Sequence, residues 1–210
     1  GRDKVVSSVF GGVAISKDTK LIKRLREIEE GLPENSWGWV TQQLLHPILT
    51  WMFLPVYDMG LGKAGLWLSQ KFGLLSKAVY AEEKKGLKPG CFPAKYSNKL
   101  AVLGLNQLKK LERFNDHRKK IANIYFEQLK DTDLILPPNQ KGDIYLRFTV
   151  SSSKARELYL RAKLERKWTL GDWYKMPNQH ILNLPTYPNF SEDQAYELSK
   201  QVKKWLQHEK

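Results

Sequence analysis

GRDKVVSSVFGGVAIS, residues 1–16, sets a lysine, Lys4, before a β-branched apolar run and a Gly-Gly pair. Val5, Val6, Val9 and Phe10, then Val13, Ala14 and Ile15 after the break at Gly11-Gly12, predict a buried strand or a strand pair with a tight turn. At Asp18 the pattern turns helical: in DTKLIKRLREIEEG, Leu21, Ile22, Leu25 and Ile28 share one face and Gly31 ends it. The apolar run follows directly on a charged tripeptide, with no initiator Met, which leaves open whether the stretch begins a protein or lies in the middle of one.

Working outward, the 210 residues are 41% hydrophobic and 11% aromatic, enough for a sizeable core, and the formal net charge of +13 favours anionic partners. Cys91 stands alone, which excludes an internal disulfide and a Cys-based zinc site. His46, His117, His180 and His208 are scattered without metal-ligand spacing, so no metal is expected; His117 and His208 are expected to be solvated. The glycine-rich phosphate motifs, the GxSxG elbow, the RNP motif and zinc-finger pairs are all missing, and nucleic acid is not expected as a partner. No positive-apolar-small leader pattern opens the chain, and a cytoplasmic location is expected.

Residues 35–57, NSWGWVTQQLLHPILTWMFLPVY, contain no Asp, Glu, Lys or Arg. Gln42, Gln43, His46, Pro47 and Pro55 argue against a membrane span, and Trp37, Trp39 and Trp51 suit an interface better than a hydrocarbon core. Two readings stay open: a helical hairpin buried in the fold or a dimer interface, and a peripheral membrane patch extended by Trp67, Leu68, Phe72 and Leu74 with Lys63, Lys71 and Lys77 nearby. Residues 82–95 read as a loop. A long helix is predicted over about 97 to 129, with Leu100, Leu103, Leu108, Leu111, Phe114, Ile121, Ile124 and Leu129 on one face and Lys109, Lys110, Arg113, Arg118, Lys119 and Lys120 on a solvated basic face. Residues 144–150 alternate as a strand, Ser152 or Ser153 caps a helix to about Leu164, WTLGDWYKMP (168–177) reads as a strand ending in a loop, and Ser191 with Gln194 announces a final helix through a capping box. The fold class is α/β or α+β.

Three stretches carry a resemblance. Six residues separate Lys4 from Gly11-Gly12; YSNKLAVLGLNQLKKLERFNDHRKKIANIYFEQL (96–129) sets Asn98, Gly104, Leu105, Gln107, Leu108, Arg118 and Tyr125 in order; and LNLPTYPNFSEDQAYELSKQVKKWL (182–206) closes the chain. Together they resemble the DegT/StrS-type sugar aminotransferases, fold-type I enzymes that use pyridoxal 5′-phosphate (PLP). The resemblance implies the C-terminal portion of a PLP-dependent transferase fold: residues 1–35 as the end of the large domain, 36–90 as an apolar helical insertion or interface segment, and 91–210 as an α/β small domain. It implies a fragment of a longer enzyme, inactive as an isolated chain.

By the same resemblance Lys4 is the Schiff-base lysine and proton shuttle, PLP is the cofactor, and an amino donor such as glutamate and a nucleotide-diphosphate keto sugar are the substrates, in cell-surface polysaccharide or lipopolysaccharide precursor synthesis, with a homodimer as the assembly. A lysine suits that role because a primary amine forms an imine, leaves, and carries a proton; taken alone, Lys4 reads as a solvated lysine. Lys95 falls where the family has an arginine and is the candidate for the cofactor phosphate, whereas Pro93 stands at the position of a phosphate-binding Asn and cannot serve, and Phe10 replaces an acidic residue. Asn98, Trp173 and Tyr174 are the substrate-binding candidates, the two aromatics reading equally as core residues. The alternative is a non-catalytic scaffold that binds a membrane surface or a protein partner through 35–57 and its basic faces.

Overall fold

The computed structural model describes residues 4–57, 59–77, 79–172, 175–176 and 179–207. The chain divides into two compact units, residues 1–109 and 110–210. Helices and strands are mixed, as the sequence predicts for the fold class.

Helices are the only regular elements among the described residues of the first unit. Helix α1 (Thr19–Glu30) starts where the Asp18 carboxylate accepts the backbone N–H groups of Lys20 and Leu21 at 2.9 and 3.3 Å, two of the orphan donors at a helix start. Ile22 and Leu25 are half-buried, whereas Leu21 and Ile28 on the same apolar face stay exposed. Helix α2 (Trp37–Phe53) is capped by the Ser36 hydroxyl and runs through Pro47. It packs on α3 (Leu61–Lys71), so 35–71 is a helical hairpin. Two glycines allow the contact: a Cβ on Gly62 would lie 2.2 Å from the Phe53 carbonyl oxygen, and one on Gly65 would lie 2.4 Å from the Phe53 ring. A buried pair locks the hairpin: the Ser76 hydroxyl donates to Gln43 Oε1 at 2.7 Å, while Gln43 Nε2 donates to the Trp39 carbonyl at 3.2 Å. No described helix is long and apolar enough to cross a membrane.

The strand expected over 5–15 does not form. Val9 has φ 71° and Gly11 φ 131°, and Val13 and Ile15 are 80% and 89% exposed. The physical reason is the lack of a partner: the described residues of this unit hold no strand, and a β-prone run without a neighbour has no ladder to join. The long helix expected over 97–129 is two, α4 (Asn98–Leu108) and α5 (Leu111–Leu129), parted where Lys110 leaves helical geometry at φ −99°, ψ −5°.

The second unit holds an antiparallel sheet in the order β1 (Phe148–Ser151), β3 (Gln179–Leu184), β2 (Lys175–Met176). Register pairs Phe148 with Leu184 and Val150 with Leu182, and all four are buried. Helices α5, α6 (Ala155–Glu165) and α7 (Glu192–Gln207) cover this core, with α5 against α7 and α6 against both β3 and α7. Tyr125 is fully buried, stacks on Phe148 at 5.1 Å and donates to the Pro185 carbonyl at 2.9 Å. Burial, with Tyr187 nearby, holds its phenol protonated far above the usual tyrosine range. β1 starts later than the alternation of 144–150 suggests, because Tyr145 sits at φ 47° and the Tyr145 and Leu146 carbonyls accept the Thr186 hydroxyl at 2.8 and 3.0 Å. Helix α6 is flanked by the Ser152 hydroxyl, which accepts the Lys154 N–H at 3.1 Å. The capping box of α7 forms in both directions: Gln194 N–H donates to Ser191 Oγ at 3.1 Å and Ser191 N–H to Gln194 Oε1 at 2.9 Å.

Two residues of the expected solvated set are drawn into the packing, Arg118 buried and His117 half-buried. Arg118 is 5% exposed and donates to Asn115 Oδ1 at 2.9 Å, its buried Nε without a partner; desolvation lowers its pKa. His117 Nε2 donates to the Phe190 carbonyl at 2.9 Å. His208 lies outside the described residues.

Ser191→Ala removes one arm of the capping box and should cost about 1 kcal/mol of stability, read by denaturant titration of the α7 transition. Gly62→Ala forces a methyl against backbone and should cost about 1–3 kcal/mol, read as a lowered Tm.

Candidate functional site

Gly11 decides the local geometry of the first unit. Its φ of 131° favours glycine, and a Cβ there would lie 2.3 Å from Tyr96 Cε2, so the Tyr96 ring lies directly on the Gly11 backbone. The Tyr96 hydroxyl donates to the Leu100 carbonyl in α4 at 3.2 Å. Gly104, one turn further, leaves room for both: its Cβ would meet Tyr96 Oη at 3.2 Å and Ser8 Cβ at 3.7 Å. The Gly-Gly segment is thereby clamped onto the start of α4.

Next to Tyr96, Lys95 is tied down through its backbone. Its N–H donates to the Pro33 carbonyl at 2.9 Å, and its own carbonyl accepts Asn35 Nδ2 at 3.2 Å. The loop before α2 and the loop before α4 are thus cross-linked, and the Lys95 side chain is left for other work. An aromatic cluster closes the other side. Phe10 lies 5.5 Å from Trp39 and 5.8 Å from Phe92, and Trp39 Nε1 donates to the Tyr80 hydroxyl at 3.1 Å.

These groups enclose an open cleft of about 880 Å³. Phe10, Gly11 and Gly12 form one wall, Ile22, Leu25, Arg26 and Glu29 of α1 a second, and Phe92–Ser97 and Leu100 with Asn35 and Trp39 much of the rest. An adjoining recess of about 460 Å³ shares Glu29, Asn35, Lys95, Tyr96 and Ser97 with the cleft and adds Asn98. Both charge signs face the cleft, Arg26 and Lys95 against Glu29 and Glu83. Such a surface can hold an anionic group near its cations and a flat ring among its aromatics.

Of the site residues predicted from sequence, Lys95 lines both hollows and Asn98, the first residue of α4, lines the recess. Lys4 is exposed, and the cleft wall begins six residues later at Phe10. Trp173 and Tyr174 lie outside the described residues. The departures Phe10 and Pro93 both line the cleft, with Pro93 following a cis peptide bond. Arg26, Asn35 and Tyr96 were not singled out from sequence. The one signal was the Gly11-Gly12 pair, which shows that backbone must be approached closely without showing by what.

Residues 70–170 match the model of the DegT/DnrJ/EryC1/StrS aminotransferase family, just under half of the chain. No curated protein matches the chain. Among solved structures, a DegT DnrJ EryC1 StrS aminotransferase from Brucella abortus is similar at 20% identity and TM-score 0.49, over 54% of this chain and 36% of that one. S. venezuelae DesV, solved with a ketimine intermediate, is similar at 21% identity and TM-score 0.47, over 53% and 36%. E. coli GDP-4-keto-6-deoxy-D-mannose-3-dehydratase, solved with bound hydrated PLP, is similar at 14% identity and TM-score 0.43, over 61% and 40%. The chain matches little more than a third of the length of each of these proteins.

Gly11→Ala should lower the stability of the first unit by about 1–3 kcal/mol and change the near-UV circular dichroism of the Tyr96 environment. Gly12→Ala, where a Cβ meets nothing within 4 Å, should leave both unchanged.

Proposed function

We propose that this chain carries the C-terminal part of a PLP-dependent sugar aminotransferase acting on a nucleotide-linked keto sugar. The observation that carries the reading is the family match over residues 70–170, which spans Lys95 and Asn98. The cleft supports it in size and chemistry. Its volume of about 880 Å³ lies within the range that takes a cofactor or a drug-sized ligand. Lys95 and Arg26 supply cations for a phosphate, Phe10, Trp39 and Phe92 supply ring faces, and Lys4 supplies a primary amine shortly before the Gly-Gly wall. These residue types fit PLP.

When bound, the cofactor supplies an electron sink for a carbanion. The chain's own residues do the rest. Lys4 would hold the cofactor through Nζ, and its amine, when free, would carry the proton from the carbon that loses it to the carbon that gains it. Lys95 neutralises the phosphate as a point charge. Asn98 offers amide donors and an acceptor to sugar hydroxyls, and Trp173 and Tyr174 stack on the sugar or base. An amino donor such as glutamate closes the cycle, in a homodimer serving cell-surface polysaccharide or lipopolysaccharide precursor synthesis.

The test uses the longest natural polypeptide that contains these residues, incubated with PLP, reduced with borohydride and mapped by peptide mass spectrometry. A pyridoxyl group on Lys4, absent from Lys4→Ala, is the expected result, with transamination falling at least about 10²-fold in that variant. Lys95→Gln should weaken cofactor affinity by about tenfold while leaving the adduct on Lys4. A reduced protein with no pyridoxyl on Lys4 overturns the reading.

A further inference from the structure

The helical hairpin of the first unit leaves on its surface what hairpins of globular proteins usually bury. On α2, Ile48, Trp51 and Met52 fall at the spacing of one helix face, and all three are exposed, Trp51 at 78%. On α3, Trp67 and Leu68 are exposed, with Trp67 at 59%. Scattered exposed apolar residues are ordinary, but two adjacent helices that each present an apolar stripe are not.

The charges of the hairpin segment are mostly of one sign. Asp58 is the one carboxylate between residues 35 and 81, and Lys63, Lys71 and Lys77 are the cations. Two of the lysines lie over aromatic rings, Lys63 Nζ at 5.1 Å from the Tyr57 centroid and Lys71 Nζ at 5.2 Å from the Trp67 centroid. Tyr57 and Trp67 are thereby each paired with an ammonium head over the ring. This is the arrangement that suits a lipid–water boundary, with rings at headgroup depth and ammonium groups beside lipid phosphates. A second copy of the chain suits the surface less well. A two-fold contact would set lysine-flanked stripes against identical ones, with almost no carboxylate in the hairpin to pair them. A membrane span is a different matter, since no described helix is long and apolar enough for one.

We propose that the exposed faces of the α2–α3 hairpin seat this protein on the surface of an anionic lipid bilayer, with Trp51 and Trp67 as apolar anchors and Lys63 and Lys71 as the groups that select negative charge. The contact is peripheral, salt-sensitive and independent of what the cleft binds.

The experiment is flotation of the whole chain with phosphatidylcholine vesicles, alone and with phosphatidylglycerol added. Anionic vesicles should carry the protein up and neutral ones should not. High salt should release it. Trp51→Ser with Trp67→Ser, and separately Lys63→Glu with Lys71→Glu, should each reduce binding by roughly tenfold or more. All four side chains are exposed, so far-UV circular dichroism and Tm should not move. The proposal is overturned if the protein stays at the bottom of the gradient, if neutral and anionic vesicles bind alike, or if both variant pairs float like the parent. It is equally overturned if the chain runs as a dimer that the tryptophan variants dissolve, which gives the faces to a second copy.

Discussion

The close approach of the Tyr96 ring to the backbone of Gly11 organises the first unit. Chain geometry makes the contact possible only without a Cβ, at a φ that other residues reach with strain. Once made, it joins the segment after Lys4 to the start of α4, and the hydrogen bonds of Lys95 to Pro33 and Asn35 bring in the loop before α2. Three stretches far apart in sequence then line one cleft. The side chains that face it, from Arg26 to Lys95, are held by backbone that no single helix supplies.

The second unit is built on a different principle. Its core is made of pairs that cross between elements: Phe148 with Leu184, Tyr125 with Phe148, Trp205 Nε1 with Glu165 at 2.7 Å. Thr186 is a small residue with a large task there. Its hydroxyl meets two carbonyls of the irregular stretch before β1, so the strand begins where that stretch is pinned and not where the apolar alternation begins.

Local signals were legible wherever a single residue and its near neighbours decide the outcome. Asp18 and the Ser191–Gln194 box cap the helices that their sequence announces. Signals that need a distant partner were not. Val5–Ile15 carries strand propensity, yet nothing in those residues says that no other strand will stand beside them. The basic periodicity around Arg118 reads as a solvated face, and only the packing of the second unit buries that side chain. The cleft was half legible. Lys95 could be reached by analogy of position, while Asn35 and Arg26 arrive there through tertiary structure, and the segment of Trp173 and Tyr174 lies outside the described residues.

Pro47 gives α2 an unequal pair of halves. A proline offers no N–H, so the rung that would reach back to the Gln43 carbonyl is missing from the helix ladder. The N-terminal half is fastened by the buried Gln43–Ser76 pair, whereas the C-terminal half, with Ile48, Trp51 and Met52, is held by Thr50 Oγ1 against His46 Nδ1 at 3.4 Å and by the Phe53 contacts with Gly62 and Gly65. Amide protons of residues 49–53 should exchange with solvent deuterium sooner than those of residues 40–44, and the half that carries Ile48, Trp51 and Met52 is the one able to adjust its tilt without disturbing the cleft.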